Sequence, residues 1–342
     1  MQAGAELAQM RVMFYSPVKD IGLFEVVGFY RSDIQSLRDL GCDVWLSNRV
    51  YDAFNIRDYD AVFIYFWTWG ALVGLIARLL GKRVVFTGGA DDLDRSFNRS
   101  SRKYLIRAFL FWVCYQVSHS CLIVSQKDLS NMRYLLGRSD KKLVYSPHQI
   151  DLTVYGTTAE PKKNMIVTIA WMGTVANVKR KGVDKLLCVL QRYLQLNPES
   201  EVYIIGTPGE GTTYLEDVAE QLGIKQKICL TGAISEDRKV ELLKSSMFYW
   251  QVSEYEGFGL AALEALAAKN VVIHSGRGGL ADAVGKYGLQ VEPDDDPSRV
   301  ARAVHELCQS PEARAEILKG VDEHLKQFSF AKREQAIAYA LG

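Results

Sequence analysis

The chain has no Cys-x-x-Cys pair and no histidine spaced as a metal partner to a cysteine; its six cysteines, at 42, 114, 121, 188, 229 and 308, are scattered among mostly apolar neighbours. That excludes a zinc ribbon and a disulfide framework, and the thiols read as buried groups in a reducing compartment. Charge of neither sign is in excess: the formal net charge is +1, so a polybasic nucleic-acid binder is excluded and no nucleic-acid partner is expected. Internal repeats and low-complexity tracts are absent. Met1 to Met10 lacks both the basic start and the apolar core of a signal peptide, which predicts a cytoplasmic protein. One uncharged run, Ala61 to Ala77, is 17 residues long, at the lower limit for a membrane span. Gly70 and Gly74 interrupt it, so it reads as a buried strand, Ala61–Phe66, followed by a packed helix, Ala71–Leu80.

What is present is an alternation of short apolar runs with helical periodicity, in a chain of 342 residues that suits two domains of about 150 each. Strands are expected at Arg11–Tyr15, Asp43–Leu46, Ala61–Phe66, Arg83–Phe86 and Cys121–Val124, with a loop from Ser16 to Gly22 and a helix from Val26 to Leu40. This βα order predicts a parallel sheet covered on both faces, a Rossmann-like first half. No G-x-G-x-x-G follows the first strand, which argues against a dinucleotide-dependent oxidoreductase. The second half repeats the pattern with strands at Met165–Trp171, Glu201–Gly206, Ile228–Gly232, Phe248–Val252 and Val271–Ile273, and helices at Tyr214–Leu222 and Glu236–Ser245. Residues 1–155 hold 19 cations and 15 anions, and the remainder 22 and 25, so the first half is mildly basic.

Chemistry concentrates in Ser253-Glu254-Tyr255-Glu256-Gly257-Phe258-Gly259-Leu260, which runs into the helical spacing of Leu260, Leu263, Leu266 and Ala267. Gly257 and Gly259 clear Cβ atoms from a loop that opens a helix, where backbone N–H groups suit an anion. Glu264 falls on another face of that helix, and Glu256 in the loop, which lets both carboxylates flank one ligand; the other reading is a Glu favourable with the helix dipole and a solvated Glu one turn on. The pattern E-G-F-G-L-x-x-L-E-A-L-A resembles the E-x7-E signature of retaining, nucleotide-sugar-dependent glycosyltransferases of family 4, which have the GT-B fold. The resemblance implies that Glu256 meets the donor sugar, Gly257-Phe258-Gly259 the diphosphate and Glu264 the ribose hydroxyls.

Two further stretches carry the same resemblance. Gly173-Thr174-Val175-Ala176-Asn177-Val178-Lys179-Arg180-Lys181-Gly182 is similar to the family's G-R-…-K-G loop, with Thr174 at the arginine position and two extra residues. Lys181 aligns, and Lys179 or Arg180 stands to supply the missing cation; a solvated charge run is the other reading. Thr87-Gly88-Gly89-Ala90-Asp91 is similar to H-G-(S/A)-D with Gly88 in place of the histidine, leaving Asp91 as a functional candidate or a turn residue. The implied catalytic set is Glu256, Lys181 and Asp91. The donor set is Gly173, Lys179, Arg180, Gly206, Ser253, Gly257, Phe258, Gly259, Leu260 and Glu264, with no metal and no cofactor beyond a UDP- or GDP-sugar donor.

The expected architecture is α/β, two Rossmann-like domains with parallel sheets and a cleft between them. Its bounds are an acceptor domain over 1–155, a linker over 156–164, a donor domain over 165–325 and a helix over 326–342 returning to the first domain. The expected function is transfer of a sugar from a nucleoside diphosphate to an acceptor hydroxyl, on a lipid-linked or polysaccharide-precursor saccharide. The alternative is a catalytically silent nucleotide-sugar-binding homologue that partners another transferase. Arg95, Arg99, Arg102, Lys103 and Arg107, with no acid among them, lead into Phe109, Leu110, Phe111, Trp112 and Val113. This segment, 95–113, fits either a helix on the inner face of an anionic membrane or a domain helix with a solvated basic turn and a core-facing apolar end.

Overall fold

The computed structural model describes the chain except residues 1–6, 8, 96, 99, 138–140 and 157–161, so Arg99 and most of the expected linker lie outside the described residues. The chain divides into two units. Unit 1 is Met1–Ile150 with Gln327–Gly342, and unit 2 is Asp151–Lys326. The sequence pattern assigns Leu152–Tyr155 to the first half. In the structure these four residues form a short helix that packs on unit 2 helices Glu236–Ser245 and Leu260–Ala267, because Tyr155 buries its ring there.

Unit 1 is built on a parallel sheet of β1 (Arg11–Tyr15), β2 (Asp43–Ser47), β3 (Ala61–Tyr65), β4 (Arg83–Thr87), β5 (Ser120–Ile123) and β6 (Leu143–Tyr145), in the order β2-β1-β3-β4-β5-β6. β3 is buried along its whole length, as an apolar run covered on both faces must be. The helix expected over Val26–Leu40 is broken. Val27 is extended, and it separates a turn of helix, Leu23–Val26, from Gly28–Asp39. On one face of the sheet, helices Gly70–Leu79 and Ser101–Val117 lie side by side over Val84, Phe86 and Ile123. On the other, helix Phe330–Leu341 covers Phe63, Val85 and Leu122.

That last helix is tied down by a buried ion pair. Arg333 donates to both oxygens of Asp33, at 2.9 and 2.6 Å, and to Ser146 O at 2.6 Å and Thr87 Oγ1 at 3.0 Å. Tyr65 Oη adds a 2.5 Å bond to Asp33. Burial pushes the Asp33 carboxyl up, but the Arg333 charge and hydrogen bonds outweigh it and hold the carboxyl below the usual range.

Unit 2 has its own parallel sheet: β7 (Lys163–Ile169), β8 (Glu201–Ile205), β9 (Ile228–Gly232), β10 (Ser246–Gln251), β11 (Val271–His274) and β12 (Gly288–Gln290), ordered β12-β11-β10-β7-β8-β9. The helices Val183–Leu196 and Pro297–Gln309 pack together over one face, where Leu186, Leu190, Val300 and Val304 close the core. Among the described residues, no helix is long and apolar enough to cross a membrane.

Candidate active site

In unit 2 the chain leaves β7 towards β8 and β9, then returns to lay β10 on the other side of β7. At such a switch point the loops beyond the carboxyl ends of the two strands part and leave a crevice. Residues after β7 and after β10 therefore form the walls; Gly182 lets these two loops meet, and Gly206, just after β8, lets the end of that strand lie against the residue after β7. Gly182 has φ +67°, and a Cβ there would lie 2.2 Å from Val252 O; a Cβ on Gly206 would lie 1.7 Å from Ala170 O. Side chains at either position would drive the loops apart.

Lys181 and Glu256 are brought together. Lys181 Nζ donates to Glu256 Oε1 at 2.5 Å, and the same oxygen accepts from Ser253 Oγ at 2.7 Å and Gln251 Nε2 at 2.9 Å. Burial raises the Glu256 carboxyl, yet the Lys181 charge and hydrogen bond, the Arg180 charge and the Ser253 hydroxyl together hold it below the usual carboxylate range. Glu256 is thus a desolvated carboxylate with its counterion beside it. Its backbone is fixed as well, since Gly279 N donates to Glu256 O at 2.7 Å.

Of the three adjacent cations, Lys181 and Arg180 reach residues 255–256 and Lys179 does not. The stretch expected as a loop contains a short helix, Val175–Arg180, whose N-cap is Thr174: its Oγ1 accepts from Asn177 N at 3.2 Å. Successive side chains on a helix point about 100° apart. Lys179 accordingly lies over the Tyr214 ring, 5.1 Å from its centroid, while Arg180 donates to Tyr255 O at 3.1 Å and Asn177 Oδ1 at 2.9 Å. Arg180 O accepts from Glu254 N at 2.8 Å, which ties the loop after β10 to the end of this helix. Thr174 is therefore a capping residue where the family pattern has an arginine.

Gly257, Phe258 and Gly259 follow Glu256 and lead into helix Leu260–Ala267, with Phe258 buried and Gly259 at φ +97° as its N-cap. The first N–H groups of a helix lack carbonyl partners within it and carry partial positive charge, so Leu260 begins an anion-attracting end. One turn on, Glu264 is held by Lys239 at 2.8 Å, and Lys239 also meets Glu236 at 2.6 Å. Burial, with the Glu236 charge added, holds the Glu264 carboxyl above its ordinary value, and Lys239 and a Tyr155 hydrogen bond offset only part of that. Gly173 sits against Trp171, where a Cβ would lie 2.1 Å from the indole ring.

Asp91 belongs to unit 1, in the turn Asp91–Leu93. Nearby, Gly88 has φ +113°, and a Cβ there would approach the Phe66 ring to 3.1 Å and Phe66 N to 3.3 Å. Trp67 Nε1 donates to Gly88 O at 3.2 Å. A histidine in this backbone conformation is strained. Reading the sequence missed Gln251, Lys239 and Asn177. Gln251 had a signal, a polar side chain ending the buried run Phe248-Tyr249-Trp250; Lys239 had none, lying 25 residues before its partner. No group of three or more His, Cys, Asp or Glu among the described residues is placed to hold a metal ion.

Residues 157–323 match the family model described as Glycosyl transferases group 1. An uncharacterized glycosyltransferase of Methanocaldococcus jannaschii is 34% identical over 105 residues, 31% of this chain and 26% of that protein. The D-inositol 3-phosphate glycosyltransferase of Acidothermus cellulolyticus is 30% identical over 167 residues, 46% of this chain and 37% of that protein. The chain thus spans between 26% and 37% of the length of these curated relatives. The crystal structure of Anabaena Alr3699/HepE in complex with UDP and glucose superposes with a TM-score of 0.75, covering 97% of this chain and 99% of that one at 13% identity. The fold is GT-B. Within this GT-B chain the group 1 match falls inside unit 2, and the Lys181–Glu256 pair lies within the matched residues.

Proposed function

We propose that this chain is a retaining, metal-independent glycosyltransferase that moves a sugar from a nucleoside diphosphate sugar to an acceptor hydroxyl. The observation that carries the reading is the buried Lys181–Glu256 pair at the β7–β10 switch point, beside a glycine-rich helix start. A diphosphate entering there competes with Glu256 for Lys181. The carboxylate is then free to hold sugar hydroxyls, with Ser253 and Gln251 keeping it in place. Glu264, presented by Lys239 and Tyr155, accepts from the ribose.

In the reaction the bond from the anomeric carbon to the diphosphate oxygen breaks, and a bond to the acceptor oxygen forms with the same stereochemistry. The hydroxyl proton leaves with the nucleoside diphosphate. Charge builds on the departing diphosphate as the sugar takes on oxocarbenium character. Lys181 and the N–H groups at 257–260 oppose that charge, with Arg180 adding to the local positive potential, and a preorganised cation acts more strongly on the transition state than on the bound donor. Asp91 is proposed as the contribution of unit 1. A lipid-linked or polysaccharide-precursor saccharide in the cytoplasm is the proposed acceptor.

Titration calorimetry with UDP and GDP tests the donor assignment, and a ligand at 100 times its dissociation constant stabilises by about 2.7 kcal/mol, a visible thermal shift. Absence of binding by both nucleotides overturns the reading. Release of sugar from a bound donor distinguishes an enzyme from a catalytically silent homologue. Loss of turnover on adding a chelator overturns the metal-free mechanism.

A further inference from the structure

Helix Ser101–Val117 presents an unusual outward face. Phe111, Cys114 and Tyr115 turn into the core, as an amphipathic helix requires, but the opposite stripe is apolar too: Leu105 is 65% exposed and Phe109 62%, with Trp112 and Ile106 also exposed. The neighbouring helix Gly70–Leu79 repeats this, with Leu72 exposed, Leu79 at 78% and Trp69 at its start at 73%. Both helices pack on the same face of the unit 1 sheet and against each other, so their outward stripes adjoin. Large apolar side chains grouped on a surface in this way mark an interaction site.

The charge around the patch says what covers it. No Asp or Glu occurs between Asp60 and Asp91 or between Asp94 and Asp128, the two stretches that carry these helices. Arg102 and Lys103 are exposed at the start of the second helix. Arg107 is engaged by Asp92 at 2.9 Å, and Arg78 by His119. With the half-exposed Asp92 carboxylate taken up by Arg107, the rim is left net cationic through Arg102 and Lys103, and an apolar face so edged is complementary to a surface that is apolar below and anionic above. A second copy of the chain docked face to face through a twofold would instead set two cationic rims against each other, which like charges oppose.

We propose that this face of unit 1 docks on an anionic lipid bilayer, with Phe109, Trp112, Leu105, Leu79 and Trp69 entering the headgroup boundary and Arg102 and Lys103 meeting lipid phosphates. Of the two readings of residues 95–113, the interfacial one is favoured by helix Gly70–Leu79, expected from the sequence to be packed but exposing Leu72 and Leu79, while Phe111 is core. The inference stands on unit 1 alone and locates the bilayer as the place where a lipid-linked acceptor is met.

Co-sedimentation of the full chain with phosphatidylglycerol/phosphatidylcholine vesicles tests it. The chain should bind at about 0.1 M salt and be released towards about 1 M, where the screening length falls from about 10 Å to about 3 Å. Arg102→Gln with Lys103→Gln should lower the partition coefficient on the order of thirtyfold, about fivefold for each surface cation. Phe109→Ser with Trp112→Ser should also release the chain, and both pairs are exposed, so circular dichroism and nucleotide affinity measured without vesicles should stay at the wild-type values. Absence of binding at low salt, or binding indifferent to both pairs, overturns the proposal. A dimer in light scattering that Phe109→Ser with Trp112→Ser dissociates, together with no vesicle binding, overturns it in favour of self-association. Nucleotide calorimetry in the same samples reports on the donor site separately.

Discussion

Replacing Lys181 by Met should destabilise unit 2 before it says anything about catalysis, and the two effects can be separated. The substitution keeps most of the side-chain volume and removes the counterion of a carboxylate whose side chain is 8% exposed, while Lys181 itself is 19% exposed. Breaking a buried pair by removing one partner costs about 3–5 kcal/mol, and the partial exposure of Lys181 puts the expectation near about 3 kcal/mol. In the native chain the Glu256 carboxyl lies below its ordinary value of 4.5, so its ionised form contributes stability above that pH and loses it as pH falls through the lower native value. Without Lys181, burial acts on the carboxyl against Arg180, Ser253 and the Gln251 amide, and its titration moves upward. The gap between wild type and variant should therefore be widest near pH 8 and narrow towards pH 4. Urea unfolding at constant slope measures it. The double variant Lys181→Met, Glu256→Gln should recover about 2 kcal/mol of the loss, because no uncompensated charge remains. A gap below about 1 kcal/mol at pH 8, or one that does not change with pH, would show the pair to be solvent-screened and refute the reasoning.

Glu264→Gln should weaken nucleotide binding by about 1.5–3 kcal/mol, the contribution of a bond to a charged group; wild-type affinity should also fall with acid as the raised Glu264 carboxyl takes its proton, and calorimetry across pH checks both. Arg333→Leu should cost unit 1 about 3–5 kcal/mol by stranding Asp33 in the core, with the loss shrinking at low pH as Asp33 protonates; chemical denaturation reads it. Gly182→Ala should displace the loop after β10, since φ +67° and the 2.2 Å approach to Val252 O leave no place for a methyl group, and nucleotide affinity should drop with circular dichroism unchanged.

How much was legible in the sequence depended on whether the signal was local. Arg11–Tyr15, Ile228–Gly232 and Glu236–Ser245 have the bounds expected, because a buried apolar run or a capped helical period reports only its own surroundings. Glu256 and Lys181 were legible as a pattern, while their direct contact, 75 residues apart in the chain, was not. The run Lys179-Arg180-Lys181 read as a cluster, whereas the Thr174 cap starts a helix that turns Lys179 onto Tyr214 and away from the other two. Helix Ser101–Val117 shows the same limit. Its apolar residues fall on two faces, and only the position of the sheet determines which face is core.

The contact between Ile150 N and Phe328 O, at 3.0 Å, closes unit 1 on itself at the two points where the chain leaves it and comes back. Topologically, residues 151–326 are an insertion into a unit whose last strand and last helix are already neighbours. Cutting the chain after Ile150 discards Arg333 and leaves the Asp33 carboxylate buried without its counterion, so the first 150 residues alone are a poor folding unit. Joining Ile150 to Gln327 through a few glycines keeps the Asp33–Arg333 pair and needs only a short bridge, and it yields the half proposed to face lipid as a separable piece.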